Sequence, residues 1–489
     1  MELRFEGALT SRDAKQYIPH HFELPSGCTS LEIDFRFEPK GAQGISNWPT
    51  LTLFDPHGFR GAGHRGGQHH RVAIAASAAT PGYLPGALPA GEWTVEIDTH
   101  MIMPGAPVRY QLDVAASRLE ARGLPPSVPP TGGEVWSSSP VGEPEGVPPA
   151  RAATGWYRGD LHTHTCHSDA ADFTVRDLAE LAQAYGLDFV FVTDHNTISG
   201  RLAARQLPSD LPLVCDGMEL TTFYGHALCL GTPDWIDWRV APESGEIAAI
   251  AAAATGRHHL FVIAHPQADG DPDCTGCSWR FGKMMPGNAT AVEVWNGPWR
   301  GDSNNEFALL LYYDWLNQGH RLVATAGTDV HGPPPPDADV TPGFTVVQAD
   351  DLSQRALLEG IRAGRAYLSS GPVLALRALG QQAEGDGPVK VWGMSDVVTC
   401  AARFSLTWSG CPQGAEVRVL VDGKALLREP SGVAGDLQWM LAPTDGRWTA
   451  VEIRDAHDDL LALTNPIYLD PLEGRPVVGS ADSWPHVVR

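Results

Sequence analysis

Apolar and polar residues alternate in short runs over roughly the first 120 positions: FELPS, LEIDFRFEP, WPTLTLFDP, HRVAIAAS, GEWTVEIDTH and VRYQLDVAAS, with turns rich in Pro and Gly between them. A period of two puts successive side chains on opposite faces of a strand. Several such runs at this spacing predict a β-sandwich over residues 1–122. Residues 123–150 are dense in Pro, Gly and Ser (GLPPSVPPTGG, SSSPVGEPEGVPPA) and predict a linker.

The pattern then changes. TVRDLAELAQAYG has helical spacing and precedes the apolar run of LDFVFVTDHN. SGEIAAIAAAATG precedes HLFVIAHP, and EFALLLYYDWLNQG precedes RLVATAGTD. Helices followed by buried strands predict an α/β unit over residues 151–372 with a mainly parallel sheet or barrel. AVEVWNG is a further strand and LSQRALLEGIRAG a closing helix. From 373 to 489 alternation returns (VLALRALG, ARFSLTWSG, EVRVLVDGK, LQWMLAP, WTAVEIRDA) and predicts a second sandwich.

Composition narrows the class. The 489 residues are 43% hydrophobic and 19% charged, as in globular proteins, and carry a formal net charge of −23. The acidic balance argues against nucleic acid or an anionic membrane as a partner. No run of about 18 apolar residues predicts a membrane span, and the first residues do not resemble a signal peptide. The eight cysteines are scattered and read as free thiols, which points to the cytoplasm.

The chemistry lies where apolar runs end. In GDLHTHTCHSD, His162 and His164 are two apart at a strand end, so both imidazoles face one way, and Asp169 follows in the loop. FVFVTDHN ends in Asp194 and His195. Glu219 follows a short strand with His226 seven residues on; FVIAHP ends in His265; LVATAGTDVHG ends in Asp329 and His331. Each residue alone reads equally as a polar residue at the rim of a core. Together, six histidines and three acids at the ends of five apolar runs crowd lone pairs together, and such a cluster needs cations. Mixed imidazole and carboxylate ligation suits Zn, Mn or Fe, two or three ions in all. Cys166 reads as a buried bystander, CTGC at Cys274–Cys277 lacks a second pair for a zinc ribbon, and His258 and His259 precede their strand and belong to its far end.

These motifs (HTHTxxSD, VTDHN, Glu219…His226, AHP, GTDxH) resemble, in order, those of the PHP (polymerase and histidinol phosphatase) family. EVWNGP…AGTDVHG…AGRAYLSSGP…ALTNPIYL is similar to its carbaryl-hydrolase-like (CehA/McbA) branch. The resemblance spans about 155–372, more weakly to 470. It implies a distorted (β/α)7 barrel with the site at the C-terminal strand ends, flanked by the two sandwiches. It also implies three metal positions: His162, His164, Glu219 and Asp329; then Glu219, His226 and His265; then Asp169, His195 and His331. The usual Gly after SD is Ala170 here.

The expected reaction is hydrolysis by water that a cation activates, with Asp194, Glu219 and His331 as catalytic groups. Asp194 would orient a ligand or move a proton; as a bland alternative it caps a turn. Asn296, Trp299 and Arg300 in WNGPWR are candidate substrate contacts, with Arg280 and Lys283 nearby; rim ion pairs and core aromatics are the alternative. The leading reading is a phosphoesterase acting on a small-molecule ester, with homo-oligomers possible. A carboxylic or carbamate ester or amide hydrolase is the second reading, and a non-catalytic metal-stabilised binding module the third. The two β domains have no readable site; they pack on the barrel, cover one side of the site, or mediate assembly.

Overall fold

The structure is a computed structural model that describes residues 1–42, 44–105, 107–118, 149–334, 342–380 and 389–469. The expected linker lies outside the described residues except for positions 149 and 150. Among the described residues, no helix is long and apolar enough to cross a membrane.

The first 118 residues form two four-stranded antiparallel sheets. One has the order Glu2–Leu9, Val108–Ser117, Ser30–Glu38, His69–Ala75; the other Tyr17–Leu24, Gly91–Met101, Trp48–Asp55, Gly58–Gly63. Alternation decides which side chains meet. Leu31, Ile33, Phe35 and Phe37 of one sheet share a core with Trp93, Val95 and Ile97 of the other. The strand Gly91–Met101 is buried on its other face too. There Glu96 lies 3.1 Å from Arg239, and His100 stacks on Trp238. Opposite Trp48 and Pro49 the register shifts, so that His100 is skipped between Thr99 and Met101. Such bulges re-aim side chains.

These sheets dock on the central region through specific contacts. Lys15 Nζ lies 2.6 Å from Asp271, Thr197 Oγ1 donates to Gly82 O (2.7 Å), and Phe59 stacks on Trp235 at 4.2 Å.

The central region is mixed α/β, rich in strands and poor in helix. The helices expected from sequence occur at Val175–Ala184, Glu246–Gly256, Asn305–Asn317 and Gln354–Arg362, with a further short one at Gly200–Ala204. Val175–Ala184 begins with a capping box between Thr174 and Asp177. The sheet is less parallel than expected. Gly155–Asp160, Phe189–Val192 and Leu213–Thr222 are parallel neighbours, as are Leu260–Ile263, Ala291–Asn296 and Val323–Gly327. Between these sets, Gly225–Leu230 runs antiparallel to both sides, because Phe223 and Tyr224 make a tight hairpin where a crossover helix would stand.

No ladder among the described residues closes the sheet into a (β/α)7 barrel. The segments that follow Gly155–Asp160 and Val323–Gly327 meet instead through an isolated parallel bridge, Thr163 to Val330, with Asp329 N donating to His162 O (2.8 Å) and His164 N to Val330 O (3.0 Å).

On its other side the sheet continues through Phe344–Ala349 and Ala366–Ser369 into Leu460–Thr464, Trp448–Arg454, Glu416–Val421 and Lys424–Pro430. One ladder therefore crosses position 372. A four-stranded sheet (Lys390–Trp392, Val373–Gly380, Ala402–Ser409, Ala434–Leu441) supplies the opposing layer, and Phe404, Leu406, Trp439, Val417, Val451 and Ile453 belong to one core.

Candidate metal centre

Strand ends and one hairpin bring the acids and histidines together. His162 and His164 follow Gly155–Asp160, His195 follows Phe189–Val192, His265 follows Leu260–Ile263, and Asp329 and His331 follow Val323–Gly327. In the hairpin Thr221 pairs with His226 and Glu219 with Leu228, so Glu219 and His226 share a face despite seven positions of separation. His265 (φ 24°) and Asp329 (φ 53°) hold left-handed backbone conformations, strain that clusters at functional sites. Gly327 lets the chains approach: a Cβ there would lie 2.5 Å from the Cβ of His162.

Glu219, fully buried, is the hub. One carboxylate oxygen lies 3.4 Å from His162 Nε2, 3.2 Å from His226 Nδ1 and 3.2 Å from His265 Nε2; the other lies 2.6 Å from His195 Nδ1 and 3.6 Å from His164 Nε2. Asp329 Oδ1 lies 2.9 Å from His164 Nε2 and 3.3 Å from His162 Nε2. Asp169 reaches His331 Nε2 (3.3 Å) and His195 Nε2 (3.5 Å).

All nine expected ligands therefore lie in one cluster, grouped differently from the sets the resemblance implied. His162, His164 and Asp329 form one group; His162, Glu219 and His265 a second; His164 joins Asp169, His195 and His331 in a third; and His226 lies with His265 and Cys277 in a fourth.

The donor set fits divalent cations. His162 Nε2, both ring nitrogens of His164, His226 Nδ1 and Asp329 Oδ1 are buried without a hydrogen-bond partner. A buried polar atom left unpaired costs roughly 1–3 kcal/mol, and a cation that accepts these lone pairs removes that cost.

The electrostatics show the same frustration. Burial opposes charge on His162, yet Asp329, Glu293 and Glu219 hold its pKa well above the usual histidine value. Burial also opposes charge on His195, but Asp169 and Glu219 raise it. Burial, with His195 and His331 alongside, pushes His164 down to about 4. Against burial, His195, His162 and His226 keep the Glu219 carboxyl well below the usual range. Protons thus occupy positions that cations would take, and loading would displace them.

Supporting residues stand behind this cluster. Glu293 is buried, with both oxygens 3.1 Å from His162 Nδ1; one of them also accepts from His265 N (3.1 Å) and from Asn296 Nδ2 (3.0 Å). A carboxylate on the far imidazole nitrogen fixes tautomer and ring orientation. The sequence reading missed Glu293; its signal is an acid inside the apolar strand AVEVWN. Thr221, whose Oγ1 lies 2.6 Å from His195 Nδ1, was missed too.

Several expected roles are corrected. Asp194 accepts from Thr165 N (2.8 Å), Thr165 Oγ1 (2.7 Å) and Ser168 Oγ (2.8 Å). Its carboxylate pins the loop that carries Asp169, a geometry that fits the orienting role rather than the proton-moving one. Arg300 is exposed and bonded to Asp459 (2.6 Å) and His457 O (2.8 Å), away from the cluster. Trp299 is buried against Trp295, in the core. Asn296 is buried beneath the ligands, its amide 3.3 Å from Asp329 Oδ2, and braces them rather than meeting substrate.

Arg280 and Lys283 are engaged with Asp271 and Glu243. His258 lies beside Arg362, away from the cluster. The turn after Ser168 does not need Gly at 170, because the positive φ falls on Ala171. Burial raises the Cys166 thiol to about 11, which fits an inert bystander. The free-thiol expectation fails at one pair: Cys274 and Cys277, with Cα atoms 5.6 Å apart, form a disulfide, while the other six cysteines are not in disulfides.

The cluster floors a cavity of about 390 Å³. Asp169, His195, His226, His265, Asp329 and His331 open onto it from the central region, and Trp48, His64 and His100 from the N-terminal sheets. These last three were not foreseen, because they sit in a separate predicted domain and meet the site only in three dimensions.

Comparisons with known proteins add context. No family model matches the chain. Over 163 residues it is 26% identical to an uncharacterized protein of Methanocaldococcus jannaschii, covering 31% of this chain and 89% of that one. Among solved structures it is similar to a two-domain protein of Bacteroides vulgatus containing a predicted PHP-like metal-dependent phosphoesterase. Identity there is 16% and TM-score 0.35, over 66% of this chain and 97% of that one. It is also similar to a protein of Bifidobacterium adolescentis provisionally assigned as a metal-dependent phosphoesterase, with 18% identity and TM-score 0.27 over 42% of this chain and 94% of that one.

Proposed function

We propose that this chain is a metal-dependent hydrolase, a phosphoesterase of the PHP kind acting on a small phosphate ester. One observation carries the reading: five buried nitrogen and oxygen atoms on four of the nine clustered residues crowd within ion-pair distance of their neighbours or stand apart, none makes a well-formed hydrogen bond, and they converge beside a cavity. Divalent cations held there, Zn, Mn or Fe by the chemistry of the donors, would supply activated water and neutralise the charge that develops on phosphoryl oxygens.

The chain's own residues do the rest. Glu219 spans the cluster with both oxygens. Glu293 and Asn296 lock His162, His265 and Asp329 in place. Asp194 holds the loop that presents Asp169. The half-exposed His331 is the cluster member most open to substrate and solvent. An acidic chain with no basic stripe fits a small-molecule ester better than nucleic acid or a membrane surface.

The test is elemental analysis of the purified protein, followed by phosphate release from p-nitrophenyl phosphate after reloading with each of the three metals. The expected result is bound transition metal, turnover that chelation abolishes, and loss of turnover in His265→Ala with the fold retained. Turnover that survives exhaustive chelation overturns the proposal. Hydrolysis of p-nitrophenyl acetate without any phosphate release redirects it to a carboxyl-ester hydrolase.

A further inference from the structure

The cavity wall that rises from the candidate cations belongs to the N-terminal sheets. His100 is 1% exposed, yet neither ring nitrogen has a hydrogen-bond partner. Its ring is fixed by a stack on Trp238 (5.4 Å) and by edge contacts with Phe223 (4.9 Å) and His64 (4.6 Å). His64 lies 4.6 Å from the ring of His195, and its Nδ1 is buried and unpaired. The indole N–H of Trp48, whose ring is 5.8 Å from that of His64, is buried and unpaired as well. Native interiors pair roughly 90% or more of such groups. Four unpaired atoms on three neighbouring side chains, all lining one cavity with Asp169, His195 and His331, call for an occupant.

We propose that His64, His100 and Trp48 form a leaving-group subsite for the uncharged, hydroxyl-bearing alcohol portion of a phosphate ester whose phosphoryl end sits on the candidate cations. This rests on the phosphoesterase reading above.

The chemistry of the three groups selects the ligand. Among the described residues no carboxylate accepts a hydrogen bond from either imidazole, so each ring offers one donor and one acceptor, which is what a hydroxyl group matches. The indole adds a donor. No Lys or Arg lines the cavity among the described residues, so a second anionic group on the substrate would find no counter-charge outside the cations. Trp48 and His64 add ring surface to the cavity lining, against which a sugar-like ring could pack. A cavity of about 390 Å³ accepts a molecule of that size.

The experiment compares two probes by calorimetry on Mn-loaded protein: inorganic phosphate, and the phosphonate analogue of a hexose 6-phosphate, which cannot be hydrolysed because CH2 replaces the bridging oxygen. The variants are His64→Ala and His100→Phe. The second keeps a ring and deletes unpaired polar atoms, so its melting temperature is expected to hold or rise.

In the wild type the phosphonate is expected to bind about tenfold tighter than phosphate. Both variants are expected to lose most of that advantage while binding phosphate within about twofold of wild type. A purely structural role would leave the ratio of the two affinities alone, whatever the melting temperature did. Equal binding of the two probes by the wild type, or an advantage that survives in both variants, overturns the subsite and leaves the phosphoesterase reading standing. Failure of the wild type to bind either probe overturns both.

Discussion

At the scale of single residues, the centre is organised by where lone pairs find partners. Glu293 shows this best: it touches no candidate cation position directly, yet it holds His162 by Nδ1 and His265 by its backbone N–H. Glu293→Gln keeps the shape and removes the charge that orients the imidazole. It is expected to weaken metal affinity by about 10–100-fold with little change in melting temperature; metal titration by calorimetry checks this, and unchanged affinity would refute the role.

His331 gives a pH signature in the stripped protein. Burial opposes its charge, but Asp169 and Asp329 raise its pKa to about 9, above the unfolded value of about 6.5. A pKa raised in the folded state adds stability that is complete below about 6.5 and lost as pH climbs through about 9. His162, His195 and His265, also raised, act in the same direction. The metal-free protein is therefore expected to melt at lower temperature at pH 9 than at pH 6.5. A flat or opposite profile in chelator would count against this proton distribution.

At the scale of elements, the sequence spoke clearly wherever a period was sustained and poorly wherever two elements had to be paired. The helices Val175–Ala184 and Gln354–Arg362 show one apolar stripe each and could be read from spacing. The strands that carry His162, His195, His265 and Asp329 were visible as apolar runs ending in polar residues. What the runs did not reveal is direction. The stretches 218–222 and 225–230 that flank the turn are buried throughout, so periodicity cannot distinguish a hairpin from two strands joined by a crossover, and the sheet is less parallel than expected.

The same blindness explains the mistaken substrate contacts. Trp299 and Arg300 follow a strand end, as the ligands do. Only the packing of Asp459 and Trp295 beside them shows that one is an ion pair and the other core. Asp194 could be placed from sequence but its task could not, because Thr165 and Ser168 become its neighbours only once the loop folds back.

At the scale of the whole molecule, the boundary suggested at residue 372 runs through a continuous ladder. Ala366–Ser369 pairs with Leu460–Thr464, and the buried amide of Asn465 reaches back to the strand Val323–Gly327. Asn465 accepts from Ala324 N (2.8 Å) and donates to Ala324 O (3.2 Å) and Ala366 O (2.9 Å). A chain cut after residue 372 would leave those backbone groups unpaired and expose the strand edge. It is expected to lose cooperative unfolding and become sensitive to limited proteolysis, whereas the intact chain melts with these two regions together. A truncated chain with the wild-type melting profile would show that the two regions are independent.

The strand Gly91–Met101 has a consequence of its own. Its odd positions Trp93, Val95 and Ile97 fill one apolar interior, while Glu96 and His100 on the even side meet Arg239 and Trp238. A slip of a single residue would turn indole and aliphatic groups towards Arg239 and Trp238 and drive a carboxylate and an imidazole into hydrocarbon. Two unrelated surfaces thus veto the same error. Any insertion or deletion in this strand would be felt at once in folding yield and in the chamber's chemistry.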